Sequence, residues 1–251
     1  MTADNSIGTF SFMAEPFHVD FTGSLTIGVL GNHLLNCAGI HAQQRGFGIA
    51  HLNDQHFTWV LSRLAIEMDE FPQSYEEFSI QTWVENVYRL FTDRNYAILN
   101  AEGQPIGYAR SIWAMISMSD RKPVDLLTLH GGHIVDYICQ KDCPIAKSGR
   151  VKLTSEATLM TQYQPRYSDI DINGHVNSVK YMEHILNLFP LDTYRSKRIR
   201  RFEIAYVAES YFGDTLSFYT QQKSDNEYDI EIRKNDTETV VRSKLIFDNR
   251  V

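Results

Sequence analysis

Three cysteines in 251 residues are too few for a disulfide framework. No stretch approaches 18 consecutive apolar residues, and residues 1–28 lack a basic region leading into a long apolar run. Both absences argue against a membrane span or a secretory leader, so the expectation is a soluble, cytoplasmic protein with no membrane insertion. Basic charge is also scarce. Against 31 Asp+Glu there are 24 Lys+Arg, a net charge of −7, and no long basic tract, which argues against nucleic acid as a partner. What is abundant is hydrophobic: 43% of residues, with 14 Phe, 13 Tyr and 3 Trp, enough for one large domain or two of ordinary size.

His130, His133, Cys139 and Cys143 gather along one stretch and invite a zinc reading. C-x3-C is an uncommon spacing, and no second ligand pair follows in the usual places. The segment reads instead as a linker with buried thiols, and neither a metal nor a cofactor is expected.

The most informative stretch is 167–189, YSDIDINGHVNSVKYMEHILNLF. Asp169, Asp171, Asn173 and His175 alternate with Ile170, Ile172 and Val176; in an extended backbone that period of two sends polar and apolar groups to opposite sides. The period then changes. Val179, Met182, Ile185, Leu186 and Phe189 fall at helical spacing, with Asn177 or Ser178 as N-cap and Pro190 as stop, predicting a helix over 177–189. A carboxylate, an amide and an imidazole are thus delivered just before a helix N-terminus, whose free N–H groups favour developing negative charge. Such equipment suits attack on a carbonyl. A lone D-x-N-x-H equally fits a polar turn before a core helix, with Asp171 capping the turn.

The pattern elsewhere predicts an opening strand within 9–26, a helix over 29–43, and strands at 57–68, 78–87, 90–99 and 106–117, the last two joined by a turn at Asn100-Ala101-Glu102-Gly103. A short helix and a connector follow Asp120. The order then recurs: a strand at 158–165, the helix at 177–189, and strands at 199–210, 215–222, 228–233 and 239–247, with a tight turn at Asn235-Asp236. Shifted by 151, residues 20–36 align with 171–187 at five identical positions of seventeen: Asp20/Asp171, Gly23/Gly174, His33/His184, Leu35/Leu186 and Asn36/Asn187. Unrelated segments of ordinary composition should match about once. The chain therefore reads as an α+β duplication, two units at 1–145 and 146–251, each a long helix wrapped by an antiparallel sheet. Opposite Asn173 and His175 the first copy has Thr22 and Ser24, so one site per chain is expected.

The string DIDINGHVNSVKY resembles the D-x-D-x-N-x-H-V-N-x-x-x-Y signature of hot-dog-fold thioesterases, most closely that of acyl-acyl-carrier-protein (acyl-ACP) thioesterases. FTWVLSRLAIEM followed by FP, then SIQTWV and SIWAMISMSDRKPV, looks like that family's first domain, and FEIAYVAES looks like part of its catalytic domain. The resemblance implies a tandem (double) hot-dog fold, a substrate-binding first domain with a degenerate site, and a catalytic second domain. It also implies hydrolysis of the thioester linking a fatty acyl chain to acyl carrier protein, which ends elongation in fatty acid biosynthesis. A homodimer is compatible with it.

The family's catalytic residues carry over onto Asp171, Asn173, His175 and Glu209. Where the family has Y-x-x-E-C this chain has Y-V-A-E-S, so Ser210 replaces the cysteine and a Cys–His–Asn trio is not available there. The implied mechanism rests on carboxylates. Asp171 attacks the carbonyl or takes a proton from water, Asn173 and His175 orient it, N–H groups near 176–178 hold the oxyanion, and Glu209 activates water or sets the histidine tautomer. An acyl-CoA thioesterase and a non-catalytic acyl-binding sensor are the alternatives. Asn177 is expected to be a structural cap, His33 and His184 packing residues, and Trp59, Trp83 and Trp113 core. Arg195, Lys197, Arg198, Arg200 and Arg201 crowd five basic residues into seven positions. They are expected to flank the mouth of the site and attract an acidic carrier, the alternative being a solvated strand edge.

Overall fold

The computed structural model of the chain describes residues 6–250. It divides into two units, one formed by the residues up to Leu64 with Asp69–Ala146, the other by Ala65–Met68 with the residues from Lys147 onward.

In the first unit, strand β1 (Ile7–Met13) leads by turns to helix α1 (Ile27–Gln43). Thr26 caps the helix, its hydroxyl accepting the Val29 N–H. Leu30, Leu34, Cys37, Ala38 and His41 are buried, an i, i+4, i+7, i+8, i+11 stripe that only a helix presents to one side. The short helix α2 (Ile49–Asn53) follows, then β2 (Phe57–Met68), β3 (Glu77–Val87), β4 (Phe91–Asn100) and β5 (Pro105–Ser117). The order is β1-β3-β4-β5-β2, and β1/β3, β3/β4 and β4/β5 pair antiparallel. Gly103, at φ +77, closes the β4–β5 turn by donating to the Asn100 carbonyl, a conformation that favours glycine. A 3₁₀ segment at Leu129–Tyr137 stands where a short helix is expected.

The second unit repeats the plan with β6 (Thr158–Tyr163), α3 (Ser178–Leu186), α4 (Leu191–Ser196), β7 (Lys197–Tyr206), β8 (Leu216–Gln222), β9 (Glu227–Lys234) and β10 (Glu238–Asn249). Its order, β6-β8-β9-β10-β7, is again first-third-fourth-fifth-second. Asn235 and Asp236, both at positive φ, form the β9–β10 turn, as the twist of a tight hairpin demands.

Two expectations are corrected. The second unit's helix is not long: α3 stops at Leu186, ahead of Pro190, which lacks an N–H and restricts the residue before it. The Tyr194 hydroxyl, on the unforeseen α4, takes up the Leu186 carbonyl. The first opening strand ends at Met13, well short of Thr26, whereas the second, Thr158–Tyr163, falls within the expected 158–165. Ala65–Met68 groups with the second unit, where Glu67 pairs with Arg200 and Arg201 and the Met68 carbonyl accepts from Arg200. Among the described residues no helix is long and apolar enough to cross a membrane.

Candidate active site

The stretch from Asp169 to Val176 is not a strand. A 3₁₀ turn at Tyr167–Asp169 leads into a tight turn closed by bonds from the Asp171 N–H to the His175 carbonyl (2.8 Å) and from the Gly174 N–H to the Asp171 carbonyl (3.0 Å). Gly174 takes φ +79. The alternation therefore does not sort side chains as an extended backbone would. Ile172, on the supposed apolar side, is fully exposed, while Asp169 points inward, 3% exposed. Asp169 accepts from the Tyr163 hydroxyl (2.6 Å) and the Arg166 N–H (2.7 Å) and lies 3.0 Å from His184 Nε2. Burial alone would raise its pKa; those three bonds outweigh burial and hold it below the ordinary carboxylate value. His184 is thus a partner of a buried acid.

Asp171 does two things at once. Its Oδ1 accepts the N–H groups of Asn173 (2.8 Å) and His175 (3.2 Å), which fixes the turn; its Oδ2 takes no hydrogen bond from a described residue. The Asn173 side chain is exposed. His175 forms an isolated antiparallel bridge with Tyr211, which brings in the segment after β7. His175 Nδ1 then lies 3.5 Å from Glu209 Oε1, and Tyr211 donates its hydroxyl to Glu209 Oε2 (3.1 Å) while meeting the imidazole edge-on, ring centroids 5.0 Å apart. Asp171, Asn173 and His175 on one turn and Glu209 on the segment after β7 are thereby brought together. Tyr211 was not foreseen. Its place two residues after Glu209 on an extended segment is the one sequence signal that pointed to it.

The N–H groups expected to hold an oxyanion are mostly spent. Val176 donates to the Ser210 carbonyl (2.9 Å) and Asn177 to the Asp169 carbonyl (2.8 Å), while the Asn177 side chain caps α3 by accepting from Val179 (2.9 Å). The Ser178 N–H, first in the helix, has no partner among the described residues. Ser210 is buried and its hydroxyl meets that of Tyr181, whose pKa burial pushes up to about 12.

The first unit carries the same turn without the same groups. Asp20 donates its N–H to the Ser24 carbonyl and accepts the Thr22 N–H (2.7 Å) and hydroxyl (2.6 Å); Ser24 bridges to Gln73 as His175 does to Tyr211. Leu25 donates to the Pro72 carbonyl as Val176 does to that of Ser210. That register sets Phe71 opposite Glu209, so the first copy lacks the amide, the imidazole and the second carboxylate. What the first unit does have is a cavity of about 260 Å³. Trp59 and Trp113 line it, against the expectation of core tryptophans; Trp83 is core, its indole N–H on the Lys141 carbonyl.

The basic cluster is corrected. Tyr206, at one end of β7, donates to the Ser178 carbonyl (2.8 Å) and so marks the end of the strand near the site. Arg198 is eight residues back along that strand, roughly 26 Å at about 3.3 Å per residue. The cluster therefore does not flank the site. Its charges are also engaged. Arg201, 7% exposed, is held by Glu203 (2.7 Å) and Glu67 (2.6 Å); Arg200 reaches Glu67 (3.2 Å). Arg195 pairs with Asp192 (2.5 Å), Lys197 donates to the Asp225 carbonyl (2.7 Å), and Arg198 lies 3.8 Å from Asp248. Among the described residues no cluster of three or more His, Cys, Asp and Glu is arranged to hold a metal ion.

Family models described as the acyl-ACP thioesterase N-terminal and C-terminal domains match residues 10–128 and 152–249. A solved acyl-ACP thioesterase from Bacteroides thetaiotaomicron is 64% identical, covers 99% of this chain and 100% of its own, and superposes with a TM-score of 0.93. The 12:0-ACP thioesterase from Umbellularia californica, 17% identical over 98% of this chain and 95% of that one, shares the double hot-dog fold at a TM-score of 0.82. A chloroplastic palmitoyl-acyl carrier protein thioesterase from Arabidopsis thaliana is 25% identical over 79% of this chain; the match spans about half (51%) of that relative's length.

Proposed function

The chain belongs to the acyl-ACP thioesterase family, and from that premise we propose that it hydrolyses fatty acyl-ACP, releasing the free acid and the carrier thiol. His175 carries the proposal. Its backbone N–H ties the Asp171 turn while its ring lies beside Glu209, so one histidine links the two carboxylates. Water adds to the thioester carbonyl, the tetrahedral adduct expels the carrier sulfur, and the proton lost by water ends on that thiolate. Asp171 Oδ2, the carboxylate oxygen not engaged in the turn, either removes the proton from that water or attacks the carbonyl first, expelling the carrier thiolate and forming a mixed anhydride that water then hydrolyses. Glu209, steadied by Tyr211, sets the tautomer of His175 or activates the water. The Asn173 amide and the Ser178 N–H, at the positive end of α3, are the donors left for the oxyanion. The first unit, with its cavity and its degenerate turn, takes the acyl chain.

The test is incubation with a panel of acyl-ACPs and acyl-CoAs of graded length, scoring released acid. Release from acyl-ACP at a higher kcat/KM than from the matching acyl-CoA is expected; no release from any acyl-ACP would sink the proposal. Single turnover in ¹⁸O-water tests direct attack, since label in the Asp171 carboxylate arises only from hydrolysis of an Asp171 anhydride, whereas label confined to the released acid is produced both by direct attack of water and by opening of that anhydride at its acyl carbon.

A further inference from the structure

The first unit's cavity has apolar walls from Leu35, Ala38, Trp59, Val84, Trp113 and Ile134, yet a guanidinium stands in them. Arg94, on β4, is 7% exposed. Its Nη1 donates to His41 Nδ1 (3.1 Å) and Thr82 Oγ1 (3.2 Å), while Nε and Nη2 donate to no described residue. An arginine donates only, so His41 accepts at Nδ1 and is neutral. Burial first, then Arg94 and Arg45, push the His41 pKa down to about 3. Burial likewise pushes the Cys37 thiol up to about 12 and raises the Tyr96 phenol, so neither supplies an anion. Arg45, which also lines the cavity, is a second cation. The carboxylates close in sequence face elsewhere. Asp93 adjoins Arg94 on the strand and points to the opposite side, and Glu85 is held there by Arg110 (2.6 Å) and Asn95 (3.2 Å). No described carboxylate pairs with Arg94. A buried guanidinium stays protonated, and leaving it without a counter-charge is costly.

We propose that this cavity is a binding site for an aliphatic carboxylate anion, the free fatty acid itself, with the alkyl chain against the tryptophan-lined wall and the carboxylate on the open edge of Arg94. A planar guanidinium with Nε and Nη2 unoccupied matches two carboxylate oxygens at once. A neutral chain would leave the cation uncompensated; an anionic one removes that cost. The site deepens the acyl-binding role assigned to the first unit and rests on it, giving the released acid a place to remain and compete with the next acyl chain.

Binding is read without turnover, so its failure leaves the hydrolytic reading standing. The full chain is titrated with decanoate, decanol and decylamine at fixed ionic strength near pH 8, following tryptophan emission, to which Trp59 and Trp113 report from the cavity wall. Decanoate should saturate at least tenfold more tightly than decanol, and decylamine should bind more weakly than either. In Arg94→Met the preference for decanoate over decanol should vanish, and in Arg94→Lys part of it should return. Decanol binding as tightly as decanoate in the wild-type chain would overturn the proposal, whether or not the variants fold. So would an unchanged decanoate preference in a folded Arg94→Met.

Discussion

Ser210→Ala separates a structural hydroxyl from a catalytic one. Ser210 is 1% exposed and its hydroxyl bonds that of Tyr181, itself 3% exposed, while its carbonyl takes the Val176 N–H. The alanine keeps the backbone bonds of residue 210 and removes the side-chain partner of the Tyr181 hydroxyl, which burial keeps un-ionised. A stranded buried hydroxyl costs about 1–3 kcal/mol, which for a chain of this size lowers Tm by roughly 2–12 °C. Ser210→Ala with Tyr181→Phe removes both partners and should recover at least half of that loss, as an apolar pair replacing a bonded pair is nearly neutral. Thermal melts of the two single variants and the double variant give the coupling directly. Acyl-ACP hydrolysis, measured well below each Tm, should stay within a few-fold of wild type throughout. A kcat loss beyond about 100-fold in Ser210→Ala, with Tm unmoved, would show that the hydroxyl takes part in the chemistry and that the carboxylate reading is incomplete.

Four further outcomes are expected. Asp171→Asn retains an oxygen to accept the Asn173 and His175 N–H groups, so it should melt like wild type and yet not hydrolyse, whereas Asp171→Ala should lose Tm as well; near-normal turnover in a stable Asp171→Asn would refute the assignment. Thr22→Asn with Ser24→His should leave the active-site titre at one per chain, because Phe71 stands opposite Glu209; a doubled titre contradicts this. Asp169 has a folded pKa below its ordinary 3.8, so its stabilisation is complete above that value and drains as pH falls through the folded pKa; Asp169→Asn should flatten that limb of an acid-unfolding curve and leave its neutral part parallel. Arg201→Met takes the guanidinium from the buried Glu203 and leaves Glu67 to Arg200, and should cost about 3–5 kcal/mol by denaturant unfolding, with Arg198→Glu near zero by comparison.

Local pattern carried the fold far. α1 and the eight longer strands follow from helical spacing and from aromatic and branched residues, each within a few residues of its end, because burial of one face is written into the periodicity itself. Each failure has its own physical cause. The partners of Arg201 include Glu67, 134 residues away, so five neighbouring basic residues looked like a surface patch when two of them are tied to acids that no local window contains. The alternation at 169–176 also misled, since a turn closed by side-chain and backbone bonds can alternate as a strand does. Trp59 and Trp113 could not be told from core because a cavity wall and a core present the same residue types.

The first unit gives the control that a single copy could not. Asp20 closes its turn with three of the four bonds that Asp171 makes, although nothing remains there of the amide, the imidazole or the second acid. An aspartate at this place is therefore required by the turn alone, and its presence in a sequence says little about catalysis. The same holds for the positive-φ glycines Gly23 and Gly174 and for the caps Thr26 and Asn177, which both copies retain. What distinguishes the second copy is the set that the turn does not need: Asn173, His175 and Glu209, with Tyr211 steadying the glutamate. Catalysis is thus added to a turn that is structural in both units. The oxygen of Asp171 that the turn leaves unbonded is where the two roles meet.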